Sequence, residues 1–398
     1  MIRNPANGTL ASRHVRALRG QLLGALAMGC ALGGCDDGPA KRVPPRPPFD
    51  RTAAGPCALG DAGQVCWYQE YLDEIVADGG YPEATFTAEG CVDLATLQSA
   101  VWSCEPYPVS SGVRRGDTCC YYACEASPGC GRPFVVAGEA RLAEPRASSD
   151  WLLEGTRAGE LGVDAAIGRE WLRDALAEHA SVAAFSAFNL SLLALGAPAE
   201  LVRASTAAAL DEVYHARACF ELASEYSGRP VGPAPLDVRD LQIGTDLAGV
   251  VERAFLDGCI GETAAALVAR ASLDGCEAPR ARAALERIAE DEARHAELAW
   301  QFVAWAVQHG GEAIVRVLQS ALERAESTER DTDTCRASEG APAEWRRAGR
   351  LSEAERTSIN RLALRDIVRP MLGALLSRRQ PPRGAEASTA REAASSRT

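Results

Sequence analysis

Residues 291–300 read "DEARHAELAW", an acidic pair and a histidine inside an alanine-rich, apolar segment. Glu292 and His295 are three positions apart, so a helix would place both side chains on one face. A single Glu-x-x-His is typical of a solvated helix face that carries an ion pair and an incidental histidine. The pattern becomes informative only if another part of the chain repeats it.

The same pattern does occur earlier in the chain. Residues 211–216 read "DEVYHA" and residues 291–296 read "DEARHA", so both follow D-E-x-x-H-A. Each copy also has a glutamate in the middle of the preceding apolar segment, Glu178 in "LAEHASVAAF" and Glu262 in "CIGETAAAL". The chain therefore reads as a duplicated helical hairpin, in which each copy supplies one glutamate and then a Glu-x-x-His pair.

Apolar periodicity predicts four long helices, at about 165–195, 198–226, 245–274 and 279–310. Short turns join the first two helices and the last two, and a proline-rich stretch at 227–244 separates the pairs. This arrangement predicts a mainly α fold, a four-helix bundle with a long crossover between helices 2 and 3. A fifth helix is expected after the glycine pair at 310–311, and Ser352 with Glu355 forms a capping box that opens a sixth.

The repeated glutamates lie on the apolar stripes of their helices, where they are expected to face the core. Four ionised carboxylates in one apolar core would repel each other and lose their hydration. Two divalent cations would neutralise the four charges, and the two histidines would complete the ligand set. Mixed carboxylate and imidazole ligation suits iron or manganese better than copper or structural zinc. Nearby, His179 is expected to face outward or to support a ligand, and Asp174 to lie at a solvated helix end, with an extra carboxylate of the site as the alternative.

Four glutamates and two histidines in this order resemble the ferritin-like superfamily of di-iron carboxylate proteins, in the neighbourhood of rubrerythrins and bacterial di-iron oxidases. The resemblance covers about residues 165–310 and implies a ferritin-like bundle. It implies two iron ions, with manganese or zinc as alternatives, and a ligand set made of bridging Glu212 and Glu292, terminal Glu178 and Glu262, and one histidine per metal, His215 and His295. It also implies that Asp211 and Asp291 each hold the opposite histidine. The seventh carboxylate and the rubredoxin domain usual in rubrerythrins are not found in the sequence.

The resemblance implies a protein that reacts with O₂ or peroxide as an oxidase, a peroxidase or a ferroxidase, with the metal ligands as the catalytic residues. A non-enzymatic alternative is a membrane-anchored lipoprotein with a structural or metal-binding bundle. The net charge of −12 argues against a nucleic-acid partner and against a polybasic membrane surface.

The N-terminal 35 residues have the composition of a bacterial secretory signal. They contain arginines but no acidic residue before Cys35, and residues 22–32 form an apolar run too short to cross a bilayer. The run ends in "LGGC", which resembles a lipobox and implies cleavage before Cys35 and lipidation of its thiol. An ordinary signal cleaved nearby is the alternative. Both predict an extracytoplasmic protein, in the periplasm or at the cell surface, and the lipobox limits membrane contact to a lipid anchor.

A proline-rich tether at 36–56 leads into a predicted disulfide module at 57–135. Eight of the 14 cysteines fall in this module, and in an exported chain they predict a disulfide framework of undetermined connectivity: Cys57, Cys66, Cys91, Cys104, Cys119, Cys120, Cys124 and Cys130. The module is expected to bind a protein partner or act as a spacer. The predicted bundle then occupies 160–330, a helical extension 342–378 and a disordered tail 379–398.

Overall fold

The computed structural model describes residues 5–28, 63–68, 86–94, 107–108, 111–116, 118–124, 132–152, 164–332 and 341–377. Within these ranges the protein is mainly helical, as the sequence predicts. Cys35, the tether at 36–56 and the tail at 379–398 lie outside the described residues.

The first helix, α1 (Pro5–Met28), lies inside the predicted signal segment and packs against several later helices of the chain. Its Val15, Leu18 and Leu22 are buried in the main apolar core. Cleavage before Cys35 remains a prediction, and it would remove α1 from this core. None of the helices in the described part of the chain is long and apolar enough to cross a membrane.

The described parts of the cysteine-rich region form a small antiparallel sheet, which the sequence does not predict. Its central strand is β4 (Thr118–Cys124), which pairs with β1 (Gly63–Tyr68), β2 (Tyr107–Pro108) and β3 (Val113–Arg115).

Disulfide bonding in this region is confirmed for two of the predicted cysteines, Cys91 and Cys119, which are bonded to each other. Cys120 is also disulfide-bonded. The remaining predicted positions lie outside the described residues or have undescribed side chains: Cys57, Cys66, Cys104, Cys124 and Cys130.

A first helical hairpin consists of α2 (Ala165–Ala194) and α3 (Ala199–Ser227), close to the predicted bounds. Asp164 begins α2 by accepting hydrogen bonds from the backbone N–H groups of Ala166 and Ile167. Gly228 ends α3 with a left-handed φ of 71°, which glycine adopts without strain. Upstream, short β5 (Val135–Val136) and β6 (Glu139–Ala140) pair with each other. In the connection after α3, β8 (Gly232–Pro233) pairs with β7 (Pro145–Arg146).

The second hairpin begins with one long, partly π-helical arm. It runs through α4 (Leu247–Arg253), a π-helical segment (Ala254–Glu262) and α5 (Thr263–Leu273). Periodicity predicts this helix but not its wide π turns, which are common at functional sites. Gly258 lets the π-helical segment approach the returning helix closely, because a Cβ there would lie 2.5 Å from that of Ala299.

The returning arm, α6 (Pro279–Thr332), is longer than the predicted fourth helix. It continues past the glycine pair, where Gly311 has a non-helical φ of 57° and ψ of −135°. The predicted break is therefore present, but the fourth and fifth helices follow each other directly. Helix α3 lies against α6, and this contact joins the two hairpins.

The C-terminal extension contains α7 (Ala343–Arg347), α8 (Glu353–Ala363), a π-helical segment (Leu364–Val368) and α9 (Arg369–Ser377). The predicted capping box is confirmed, since Ser352 and Glu355 exchange side-chain and backbone hydrogen bonds at the start of α8. Helix α8 packs against α5, so the extension covers part of the second hairpin.

Candidate metal centre

The side chains of all six predicted metal ligands come together in the buried space between the helices. Glu178 comes from α2, Glu212 and His215 from α3, Glu262 from the end of the π-helical segment, and Glu292 and His295 from α6. The side chains form two overlapping groups, each with potential ligand atoms within 4.8 Å of one another: Glu178, Glu212, His215 and Glu292 in the first, and Glu262, Glu292 and His295 in the second. We call them the first and the second position.

The cluster divides the apolar core in two. Along α3, Leu201 and Ala208 belong to one apolar cluster and Ala216 to Tyr226 to another, with Glu212 and His215 between them. Along α6, the residues before Asp291 and those after Glu292 divide in the same way. All the candidate ligands except Glu178 are almost fully buried, whereas the side chain of Glu178 is 19% exposed.

Two of the glutamates lie between both histidines. His215 Nδ1 is 3.4 Å from Glu212 Oε2 and 3.4 Å from Glu292 Oε1. His295 Nδ1 is 3.1 Å from Glu212 Oε1 and 3.6 Å from Glu292 Oε2. Each of these carboxylates therefore presents one oxygen to each histidine. The first position also includes Glu178, whose Oε2 is 3.9 Å from His215 Nδ1.

The other nitrogen of each histidine ring faces an aspartate from the opposite hairpin. His215 Nε2 lies 3.0 Å from Asp291 Oδ2, and His295 Nε2 lies 3.5 Å from Asp211 Oδ2. Asp211 and Asp291 thus each lie beside the histidine of the opposite hairpin. Because an ionised carboxylate can only accept, a proton on His215 Nε2 satisfies the shorter of these contacts and leaves the Nδ1 lone pair of that ring facing the glutamates.

Charge is poorly balanced in this cluster, as the shifted pKa values show. Burial, together with the charges of Glu212 and Glu292, raises the pKa of Glu178 well above its usual range. Burial and the charge of Glu292 do the same for the pKa of Glu262. Burial opposes protonation of His215, but the surrounding carboxylates outweigh it and raise that pKa well above the usual range. The site therefore favours any positive charge placed among its oxygens.

Several buried polar atoms at the centre have no hydrogen-bond partner among the described residues. They are the Oε2 atoms of Glu212 and Glu292 and the Nδ1 atoms of His215 and His295. Buried polar atoms are costly when unpaired, and these four converge on the same space. Metal ions would satisfy them, and an oxygen-rich set with imidazole suits iron or manganese. The buried cluster can therefore hold a metal ion.

Three arginines around the cluster were missed at the level of sequence. Arg132, from the loop before β5, donates from Nε to Glu262 Oε1 at 3.1 Å. Arg294 contacts both Asp211 and Asp291, and Arg287 donates to Asp291 at 3.3 Å. Spacings of three and four residues from Asp291 could have identified Arg294 and Arg287. Arg132 carries no such signal, because its contact joins distant parts of the chain.

Two residues near Glu178 take no part in the cluster. His179 packs edge-on against the Trp151 ring, with the ring centroids 4.8 Å apart, and is not brought among the ligand atoms. Asp174 does not lie at a freely solvated helix end as predicted, because its side chain is only 25% exposed, accepts a hydrogen bond from Arg350 at 2.6 Å and lies near Arg356. The prediction for Asp174 failed because its partners come from the C-terminal extension.

Comparisons of the chain with protein-family models, with curated proteins and with solved structures found no match.

Proposed function

We propose that this chain is a ferritin-like di-metal protein, preferentially di-iron, that reacts with O₂ or peroxide. One observation carries the proposal: two Glu-x-x-His pairs from different hairpins converge so that Glu212 and Glu292 each face both histidines. A structural ion pair would need only one such carboxylate and histidine. Two shared carboxylates are what a pair of adjacent metal ions requires.

Each residue of the cluster has a definite part in this proposal. Glu212 and Glu292 would bridge the two ions, Glu178 and Glu262 would each bind one ion, and Asp211 and Asp291 would orient the histidines. Four carboxylates balance the charge of two divalent ions and favour a higher oxidation state. When bound, the metal pair would supply the electrons for the reduction of O₂ or peroxide.

The surroundings of the cluster favour a dry reaction site with one open side. Phe185 packs edge-on against His295, with ring centroids 5.0 Å apart, and helps to exclude water. Glu178 alone among the candidate ligands is partly exposed, so a small oxidant would approach along α2. An oxidase, a peroxidase and a ferroxidase would all require this approach of a small oxidant to the site.

The proposal includes a location outside the cytoplasm. The arginine-rich start, the short apolar run and "LGGC" support export and attachment of the mature chain through a lipid on Cys35. The cysteine-rich region would then lie between the anchor and the helices, where it could bind a protein partner. Disulfide bonding at Cys91, Cys119 and Cys120 is consistent with an oxidising compartment.

The test is to load the purified, metal-free full chain with Fe(II) under anaerobic conditions and then to admit air. We expect two metal ions per chain by elemental analysis and a new ferric-oxo absorption band. Glu212→Ala and Glu292→Ala should lose both signals, because each removes a carboxylate that both ions share. Glu290→Ala is the matched control, since this glutamate lies on the exposed face of α6 two residues from Glu292.

Unchanged metal content in both alanine variants, together with no absorption band in the wild type, would rule out the di-metal enzyme. Metal binding that depends on Glu212 and Glu292, without any reaction with oxygen, would favour a different function. The protein would then be a non-enzymatic, membrane-anchored lipoprotein whose helices are stabilised by metal.

A further inference from the structure

Arg132 distinguishes the two metal positions from each other. It is only 3% exposed, and its guanidinium forms an ion pair with Glu262, itself 1% exposed. Glu178 is the corresponding glutamate of the first position, and among the described residues its ion-pair contact is with His215 alone. One terminal carboxylate therefore has a permanently charged arginine beside it, whereas the other contacts a histidine.

The guanidinium of Arg132 is held in place on several sides. It lies over the rings of Phe185 and Phe188, at 4.3 and 4.8 Å from their centroids. The Ser181 hydroxyl donates to the Arg132 carbonyl at 2.9 Å and ties the loop to α2. Gly258 provides room on the far side, because a Cβ there would lie 2.8 Å from Arg132 Nη2. Arg132 is thus held in a fixed position beside Glu262.

A fixed cation beside Glu262 opposes metal binding in two ways. It engages one oxygen of a candidate ligand, and it repels an incoming dication in a region where water screens charge poorly. The terminal carboxylate of the first position, Glu178, is partly exposed, and among the described residues its ion-pair contact is with a histidine and not with an arginine. Both effects of Arg132 therefore favour the first position.

We propose that Arg132 makes the two metal positions unequal, so that the first position binds one ion tightly and the second binds an exchangeable ion. This inference rests on the proposed function, because it assumes that the cluster holds two metals. The second ion binds only as Glu262 exchanges its contact with Arg132 for a contact with the metal.

The test is a titration of the metal-free full chain with Co(II), followed by visible absorption and by competition with a chelating indicator. In the wild type we expect two binding events per chain, with dissociation constants about tenfold or more apart. Arg132→Met keeps an unbranched chain between the two phenylalanine rings but removes the charge. It should tighten the second event and bring the two constants within a few-fold. Arg132→Lys, which keeps the charge, should retain the separation.

Two controls separate a local effect from loss of structure. Arg350→Met removes another buried arginine, 1% exposed and stacked on Trp171, whose partners are Asp174 and Glu170. It should lower thermal stability and leave the ratio of the two constants unchanged. Electron paramagnetic resonance of the wild type with one equivalent of Co(II) requires no variant. It should show isolated Co(II) ions, whereas equal positions would produce coupled pairs.

Two equal events in the wild type, or a ratio that Arg132→Met leaves unchanged, would overturn this inference while the di-metal proposal stands. A chain that binds no Co(II) in either the wild type or Arg132→Met would overturn the proposed function itself.

Discussion

At the scale of single residues, the acidic side chains of the cluster fall into two groups. The glutamates face the centre, and the two aspartates contact the outer ring nitrogens of the histidines. Burial alone would raise the pKa of Asp291, but contacts with His215 and Arg294 outweigh it and hold the pKa at about 2. Asp291 is therefore ionised at any ordinary pH and accepts a hydrogen bond from His215 Nε2. This fixes which ring nitrogen faces the metal space.

Replacement of that aspartate tests the orienting role directly. Asp291→Asn should weaken metal binding about 10–100-fold, because an amide no longer fixes the His215 tautomer. Competition with a chelator at constant pH measures the change, and Glu290→Gln, on the exposed face of the same helix, is the control. An affinity equal to that of the wild type would mean that Asp291 only neutralises the neighbouring arginines.

At the scale of elements, the π-helical segment determines what the second hairpin presents to the cluster. Glu262 is its last residue, and its wide turns bring Gly258 against both α6 and Arg132. Ala299 of α6, which meets Gly258, has only a methyl side chain, so the two backbones approach closely. A regular α-helix through the same residues would turn a different set of side chains toward α6.

A methyl group at this glycine tests how closely the helices pack. Gly258→Ala should destabilise the protein by about 1–3 kcal/mol, because its Cβ would lie 2.5 Å from that of Ala299. Urea denaturation of the metal-free protein gives the value. Gly373→Ala in α9 is the matched control, since nothing lies within 4 Å of an added Cβ there. It should be neutral or stabilise by up to about 1 kcal/mol. Equal stability of the two variants would contradict the close packing.

At the scale of the whole molecule, the C-terminal extension is fastened to α2 through buried charge. Arg350 donates to Asp174 Oδ2 at 2.6 Å and to the Glu170 carbonyl at 3.1 Å, and its guanidinium lies over the Trp171 ring. Burial raises the pKa of Asp174, but Arg350 and Arg356 outweigh it and lower the pKa to about 2. The extension is therefore attached to α2 through Glu170, Trp171 and Asp174.

The sign of this pKa shift predicts an acid dependence. Because the pKa of Asp174 is lowered from 3.8 to about 2, its stabilisation is complete above pH 3.8 and is lost as pH falls toward 2. Asp174→Asn should therefore cost about 2–4 kcal/mol at pH 7, since it also leaves Arg350 poorly paired. Urea midpoints at pH 7 and pH 2 check this, and the difference between wild type and variant should shrink at the lower pH. A constant difference would show that Asp174 does not titrate with folding.

The sequence by itself determined the parts of the protein that depend on local spacing. Residues three or four apart share a helix face in any environment, so the Glu-x-x-His pairs, the helix bounds near Ala165 and Ser227 and the capping box of Ser352 could all be predicted. The four glutamates also had to meet, because an isolated buried carboxylate is too costly.

Only the tertiary structure decided the contacts between distant segments. Arg132 reaches Glu262 across 130 residues, and Arg350 reaches Asp174 across 176. No sequence periodicity relates such pairs, because each contact depends on how a loop or the C-terminal extension packs against the helices. For the same reason no sequence pattern could place Arg132 against Phe185, Phe188 and Gly258.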